Sequence, residues 1–140
     1  MKYGDLRGVG AVYADPPYTK DQYSRYYHVY ETLYRYDFPD SHGAGRVRSD
    51  RFSTGFCLKS GVVGAFEELF DAVASRGIPL ILSYPTEGLL ASRGLTVPDL
   101  LTDRLNLAAV HSFQAQHSTM GASSGSTTKD ATENLYVCTA

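Results

Sequence analysis

A short apolar run that stops at two consecutive prolines constrains this chain more than any other feature. Residues 9–14 are typical of a buried strand, and Asp15-Pro16-Pro17-Tyr18 follows directly. Because proline has no backbone N–H to donate to a neighbouring strand, the strand cannot continue past this point. Ligand-binding groups in α/β sheets lie just beyond the carboxyl ends of strands. The tetrapeptide is therefore either a rigid turn or a chemical site, and its position after a strand favours the site.

The remaining apolar patterns predict alternating helices and strands. Helices are predicted around 25–37, from an N-cap at Ser60 to Gly77, and from the capping pair Thr96 and Asp99. Further strands are predicted at 78–84, 107–117 and 134–139. The order indicates an α/β fold in a single domain over residues 1–140. The last two strands are expected to be antiparallel, because only a Ser/Thr-rich loop (118–128) joins them.

Tyrosine and charge are unevenly distributed. Eight of the eleven tyrosines lie between Tyr13 and Tyr36, more than a core needs, since each buried hydroxyl requires a partner. A surface that stacks on flat ligands is the alternative use for such rings. Residues 1–60 carry nine Lys/Arg against seven Asp/Glu (+2), whereas residues 61–140 carry four against eight (−4). One face is thus suited to a polyanion although the net charge is −2.

Several classes of protein are excluded by simpler features. The N-terminal residues lack the apolar core of a secretion signal, and no run of 18 apolar residues is present to span a membrane. Two cysteines are too few for a disulfide scaffold or a zinc site. We therefore expect a protein of a reducing compartment, the cytoplasm, with no metal centre. The polar segment 38–59 is long enough to be either functional or disordered.

The tetrapeptide Asp15-Pro16-Pro17-Tyr18 resembles the catalytic motif of amino-group methyltransferases that use S-adenosylmethionine. The longer stretch 15–31 is similar to the Dam-like class of DNA adenine-N6 methyltransferases. Four later segments are similar to the C-terminal half of that class in order and spacing: 50–53, 65–70, 82–84 and 131–136. This resemblance implies part of a class I, Rossmann-like methyltransferase sheet, with about four strands, flanking helices and the strand before Asp15 at one edge.

The resemblance also implies roles for individual residues. The Asp15 carboxylate and the Pro16 carbonyl would each accept one N–H of the adenine amine, and Tyr18 would stack on the extruded base. Asp15 would in addition lie against the cofactor, S-adenosylmethionine. Substrate- or DNA-binding roles are predicted for nine further residues: Pro17, Tyr23, Arg25, Tyr26, Arg46, Arg48, Arg51, Lys59 and Tyr84.

The cofactor-binding half of such an enzyme is not evident. Only 14 residues precede Asp15, and no glycine-rich turn follows a first strand. We therefore expect methylation of adenine N6 in double-stranded DNA to require a second polypeptide, with pairing of two copies through the exposed strand edge as another possibility. Two other functions stay open: an inactive remnant that binds DNA or oligomerises, and a methyltransferase acting on RNA or a glutamine amide. The extension 23–28, rich in tyrosine, favours DNA over the latter.

Overall fold

A four-stranded mixed sheet forms the centre of the protein in the computed structural model, which describes residues 7–118 and 128–140. In chain order the strands are β1 (Val12–Ala14), β2 (Ser41–His42), β3 (Val47–Arg48), β4 (Leu80–Pro85), β5 (Asn106–Ser118) and β6 (Thr128–Thr139). The sheet has the order β1-β4-β6-β5, and β2 and β3 form a separate antiparallel pair. β1 and β4 are parallel, while β6 is antiparallel to both of its neighbours. The predicted α/β sheet, with β1 at an edge and an antiparallel final pair, is confirmed.

Within the described residues, four helices accompany the sheet: α1 (Tyr23–Tyr26), α2 (His28–Arg35), α3 (Val62–Ala74) and α4 (Val97–Leu101). Single 3-10 turns lie at Gly55–Cys57 and Ala91–Arg93. The predicted capping pair begins α4, where the Asp99 carboxylate accepts from the Thr96 backbone N–H at 2.7 Å. None of the helices in the described ranges is long and apolar enough to cross a membrane.

The core lies where α3 packs against the sheet. Phe66 and Phe70 on α3 and Leu80 and Leu82 on β4 are all fully buried. The ring of Phe66 meets the ring of Tyr84 edge-on, with the centroids 5.0 Å apart. These contacts follow from the sequence, because α3 presents an apolar stripe at helical spacing and β4 is a nearly continuous apolar run.

The helix predicted around 25–37 is instead two helices. Tyr27 separates them, with φ −101° and ψ 11°, and its N–H still donates to the Tyr23 carbonyl at 2.9 Å. The apolar spacing continues through this break, which is why periodicity alone predicted a single helix. No residue of α2 is buried, and Tyr30, Leu33 and Tyr34 are all exposed. The expected aromatic surface is therefore present, formed largely by the stripe that predicted the helix.

Other boundaries also differ from the predictions; β1, for example, begins at Val12 instead of residue 9. β6 begins at Thr128 instead of 134, because it pairs with β5 from Thr128 opposite Ser118 to Thr139 opposite Asn106. Its first residues are polar, so their composition suggested a loop; the rest of the predicted loop, 119–127, lies outside the described residues. The N-cap of α3 is Gly61 instead of Ser60. The long polar segment 38–59 holds the β2–β3 pair and the first 3-10 turn.

Candidate functional site

The site lies at the carboxyl edge of the parallel pair β1 and β4. Ala14 is in register with Leu82, so Asp15 stands at the end of β1 beside the central strand. Pro16 and Pro17 are buried, whereas Asp15 is exposed. The Tyr18 carbonyl accepts a hydrogen bond from the Leu89 N–H at 3.0 Å, which ties the turn to the segment after β4. The two prolines thus hold a carboxylate at the surface on a rigid, anchored turn.

A cavity of about 270 Å³ opens beside this turn. Its volume is near the lower end of the range typical of small-molecule sites, roughly 300–1,000 Å³. Most of the wall is apolar, and the polar side chains come from an acid, an amide, a phenol and a hydroxyl. The lining residues are Ala14, Asp15, Pro16, Pro17, Gln22, Tyr23, Phe52, Thr54, Phe56 and Leu69. Four predicted site residues are therefore brought together here: Asp15, Pro16, Pro17 and Tyr23.

Asp15 and Tyr23 are electrostatically coupled. Desolvation raises the pKa of Asp15 above its ordinary value, and a hydrogen bond with the Tyr23 side chain opposes that rise by stabilising the carboxylate. Desolvation and the negative charge of Asp15 together raise the pKa of Tyr23 to about 12. The phenol consequently stays protonated at physiological pH and donates to the carboxylate. The other lone pairs of Asp15 remain available for N–H groups entering the cavity.

One wall of the cavity comes from a distant part of the chain. The side-chain oxygen Oε1 of Gln22 accepts from Thr54 Oγ1 at 2.9 Å and from Cys57 Sγ at 2.8 Å. The Ser24 hydroxyl donates to the Phe52 carbonyl at 2.8 Å. These bonds fasten the start of α1 to the segment 52–57. Gln22, Phe52, Thr54 and Phe56 were missed from the sequence; the available signals were the resemblances of 15–31, which contains Gln22, and of 50–53, which contains Phe52, to the Dam-like class.

The other predicted aromatic residues lie outside this lining. Tyr18 is partly buried against the core, close enough to Asp15 and Tyr26 for their charges to contribute to its raised pKa after the larger effect of desolvation. Tyr84 is only 2% exposed, and its hydroxyl accepts from the Leu90 N–H at 3.4 Å. Tyr84 is therefore a core residue on the α3 side of the sheet. This burial disfavours its predicted role as a wall of the substrate pocket.

Most of the predicted basic residues are at the surface. Arg46, Arg51 and Lys59 are exposed, and none of them has an ion-pair partner within 7–118 or 128–140. Arg25 is also exposed and pairs with Asp21 one turn earlier. A surface pair of this kind contributes little to stability and exchanges partners readily. These four side chains are accessible to an anion.

Arg48 differs from the other basic residues. It is 1% exposed, and its guanidinium donates to the carboxylates of Asp37 and Asp50 and, at 3.2 Å, to Thr32 Oγ1. Its hydrogen bonds lower the pKa values of both aspartates. Arg48 thus joins the β2–β3 pair to α2. Its positive charge is balanced by the carboxylates of Asp37 and Asp50 within the protein. Burial and these pairs disfavour the predicted phosphate contact.

No cluster of three or more His, Cys, Asp or Glu side chains suited to a metal ion occurs among the residues that the structure describes. The chemistry that the site offers is that of a rigid carboxylate, a phenol, an amide and apolar walls. Such a set can hold a flat, nitrogen-rich ring and hydrogen-bond an amine at its edge.

Comparison with known proteins supports this interpretation. The family model described as D12 class N6 adenine-specific DNA methyltransferase matches residues 5–81, which is more than half of the chain. The type II methyltransferase M.FokI of Planomicrobium okeanokoites is 38% identical over 89 residues, or 63% of this chain and 13% of that protein. The modification methylase LlaI of Lactococcus lactis subsp. lactis is 37% identical over 78 residues, or 56% of this chain and 12% of that protein. No solved structure matches the chain.

The matched stretch thus spans about an eighth of the length of these curated relatives. The family-model match, residues 5–81, contains Asp15-Pro16-Pro17-Tyr18 and the lining residues from both parts of the chain. The resemblance inferred from the tetrapeptide is confirmed. The chain belongs to the D12 class of N6 adenine-specific DNA methyltransferases.

Proposed function

We propose that this chain holds the exocyclic amine of an adenine in DNA while a methyl group is transferred to it. The observation that carries the proposal is the Asp15 carboxylate, exposed on an anchored Pro-Pro turn at the mouth of an apolar cavity. Family membership supports adenine as the base and DNA as the polymer. For this reason RNA and a glutamine amide are less favoured as substrates.

The chemistry follows from the weakness of the nucleophile. The amine lone pair of adenine is delocalised into the ring. Asp15 accepts one N–H and the Pro16 carbonyl accepts the other, so the lone pair is directed away from both and toward the incoming methyl. Alignment of reacting atoms within about 3–3.5 Å supplies most of the rate in such a direct transfer. The rigid turn is suited to that purpose because neither oxygen has to be positioned anew.

The base must leave the duplex to reach this turn. Tyr18 is our proposed stacking partner, since its ring is partly exposed on the same turn as Asp15. Pro17 and Tyr23 form part of the surface that receives the base, and Tyr26 lies beside Tyr18. Stacking on an aromatic ring is worth about 1–3 kcal/mol per base, comparable with the cost of extrusion.

S-adenosylmethionine, which the family implies, supplies the methyl group as a sulfonium when bound. The residues present fit one end of that cofactor only. Asp15, at the cavity mouth, is the residue we propose to lie against it. No glycine-rich turn follows a parallel strand in the described part of the chain, and the outer edge of β1 has no partner there. We infer that the remaining cofactor contacts come from strands that pair with this edge, in the same or a second polypeptide.

Contacts with the DNA backbone are assigned to the exposed cations Arg25, Arg46, Arg51 and Lys59. Phosphate contacts of this kind position a protein on DNA without reading its sequence. Arg48 is left out of this set because Asp37 and Asp50 occupy its guanidinium. Tyr84 is left out of the base-binding surface because it is buried in the core.

The test is replacement of Asp15 in a methyl-transfer assay. The chain, with the polypeptide that completes the cofactor site where it is separate, is given radiolabelled S-adenosylmethionine and double-stranded DNA. Asp15→Asn keeps the shape but loses the charged acceptor, so kcat should fall by about a hundredfold or more. Asp40→Asn changes an exposed carboxylate outside the cavity and should leave the rate unchanged. Equal methylation by the two variants would refute the assignment of Asp15, whereas no methylation by the parent chain would favour a DNA-binding remnant.

A further inference from the structure

Gln22 is a buried polar residue inside the candidate site that the catalytic motif does not include. It is 9% exposed, stands at the N-cap of α1, and lines the same cavity as Asp15 and Tyr23. Its backbone is fixed, because its carbonyl accepts the Arg25 N–H at 2.8 Å. The burial of a long, flexible amide side chain at this position calls for a physical explanation.

The hydrogen bonds of Gln22 fix which end of the amide faces the cavity. Thr54 Oγ1 and Cys57 Sγ, at 2.9 Å and 2.8 Å, both donate to Oε1. The Nε2 group, with its two N–H donors, has no acceptor among the residues that the structure describes. Nε2 is not among the fully buried unpaired atoms of the described residues, so it stays accessible. Because Gln22 lines the cavity, a ligand atom there can supply the missing acceptor.

We propose that Gln22 determines specificity for adenine by donating from Nε2 to the N1 ring nitrogen of the extruded base. The inference rests on the proposed function, since it takes Asp15 to hold the neighbouring amine. An acceptor at Asp15 beside a donor at Gln22 matches adenine, whose amine donor stands beside the N1 acceptor. A 6-oxopurine has the reverse order, an oxygen acceptor beside an N1–H donor. It would leave both protein groups unpaired, which penalises binding strongly.

Side-chain amide signals of Gln22 provide a direct test in the 140-residue chain. They are assigned in ¹H–¹⁵N spectra by their loss in Gln22→Met. Adenosine, 7-deazaadenosine, 1-deazaadenosine and inosine are then titrated separately. Adenosine and 7-deazaadenosine should shift the Gln22 amide signals equally. 1-Deazaadenosine lacks the acceptor and should bind about fivefold more weakly, as for the loss of one hydrogen bond. Inosine should bind more weakly still.

Gln22→Glu sharpens the test because it keeps an oxygen for Thr54 and Cys57 and removes both N–H donors. This variant should bind adenosine about fivefold more weakly and should no longer distinguish adenosine from 1-deazaadenosine. Gln114→Glu, on exposed β5, is the matched control and should behave as the parent chain. If Gln22→Glu fails to fold, the comparison of nucleosides in the parent chain decides alone.

The outcomes separate this inference from the proposed function. If adenosine shifts the backbone signals of Asp15 and Tyr23 but not the Gln22 amide, the role of Gln22 is refuted and the proposed function stands. Equal affinity of the parent chain for adenosine and 1-deazaadenosine would also refute the role of Gln22 and leave the proposed function standing. If adenosine shifts no residue of the cavity, both proposals fail.

Discussion

Asp15 is held between two opposing influences, and their balance sets its protonation at working pH. Desolvation disfavours the carboxylate and raises its pKa, while the hydrogen bond from Tyr23 favours the carboxylate. Only the ionised form accepts hydrogen bonds at both oxygens. Under the proposed function, the phenol therefore acts on the amine indirectly, by keeping Asp15 charged.

Tyr23→Phe tests this coupling. Loss of the hydrogen bond removes the influence that lowers the pKa of Asp15, so the pKa should rise further above its ordinary value. The ionised fraction at a given acidic pH then falls, and the acidic limb of adenosine binding moves to higher pH. A ¹³C NMR titration of the Asp15 carboxyl measures the shift directly. Tyr27→Phe is the control, because the Tyr27 ring neighbours Tyr23 with centroids 6.4 Å apart but makes no bond to Asp15. An unchanged Asp15 pKa in Tyr23→Phe would contradict the argument.

The sequence predicted the residues of the turn but not all of their partners. Asp15, Pro16 and Pro17 belong to one contiguous motif after a strand, so local chemistry suffices to find them. Gln22 acquires its orientation from Thr54 and Cys57, which lie 32 and 35 residues away. No local sequence pattern indicates a contact between residues so far apart in the chain. Arg48 illustrates the reverse case, since its charge suggested an anion contact that burial and two aspartates disfavour.

Among the elements, the β2–β3 pair depends on Arg48. Each of these strands has only two residues, too few to be stable alone. Arg48 links the pair to Thr32 on α2 and to Asp37 just beyond it. The segment that follows carries Phe52 and Thr54 into the cavity wall. The Arg48 cluster thus connects the long polar segment to the candidate site.

Arg48→Met should destabilise the protein and flatten its response to acid. Asp37 and Asp50 have lowered pKa values in the folded state, so their pairing stabilises the fold above the ordinary carboxyl pKa. That stabilisation is lost as the pH falls through the lowered values. Without the guanidinium the two aspartates lose this linkage, and Tm should depend less on pH in the acidic range. Thermal unfolding followed by circular dichroism measures both effects. Arg93→Met, at an exposed arginine, should leave the pH dependence intact.

The order of the main elements was predictable because β1, β4 and α3 have strong apolar patterns, whereas the polar β2–β3 pair was not predicted. The capping pair of α4 was equally visible, since Thr96 and Asp99 are three residues apart. The break between α1 and α2 was not, because exposed aromatic residues continue the helical spacing across Tyr27. Sheet pairing likewise extended β6 over polar residues that suggest a loop. Apolar periodicity cannot predict the element boundaries that tertiary contacts determine.

For the molecule as a whole, the parallel pair of strands determines at which end of the sheet the candidate site lies. β1 ends at Ala14, directly before Asp15, and the chain returns through α3 to begin β4 at the opposite end of the sheet. The start of α3 therefore lies near the site end of the sheet, where Phe52 and Thr54 line the cavity, whereas Arg76, just beyond α3, lies near the far end. Arg51 adjoins Phe52, and Lys59 precedes α3 by three residues. We expect these two exposed cations, together with Arg46, to lie on the site side.

This arrangement predicts the salt dependence of DNA binding. Each cation that contacts a phosphate displaces counterions, so replacing it should reduce the slope of log K against log salt concentration by about one. Arg46→Ala, Arg51→Ala and Lys59→Ala should each weaken binding to duplexes of any sequence alike. Arg76→Ala removes the same charge at the far end and should leave the slope unchanged. Fluorescence anisotropy with a labelled duplex over a series of salt concentrations gives the slopes. Equal slopes for Arg51→Ala and Arg76→Ala would mean that net charge, and not this end of the sheet, attracts the DNA.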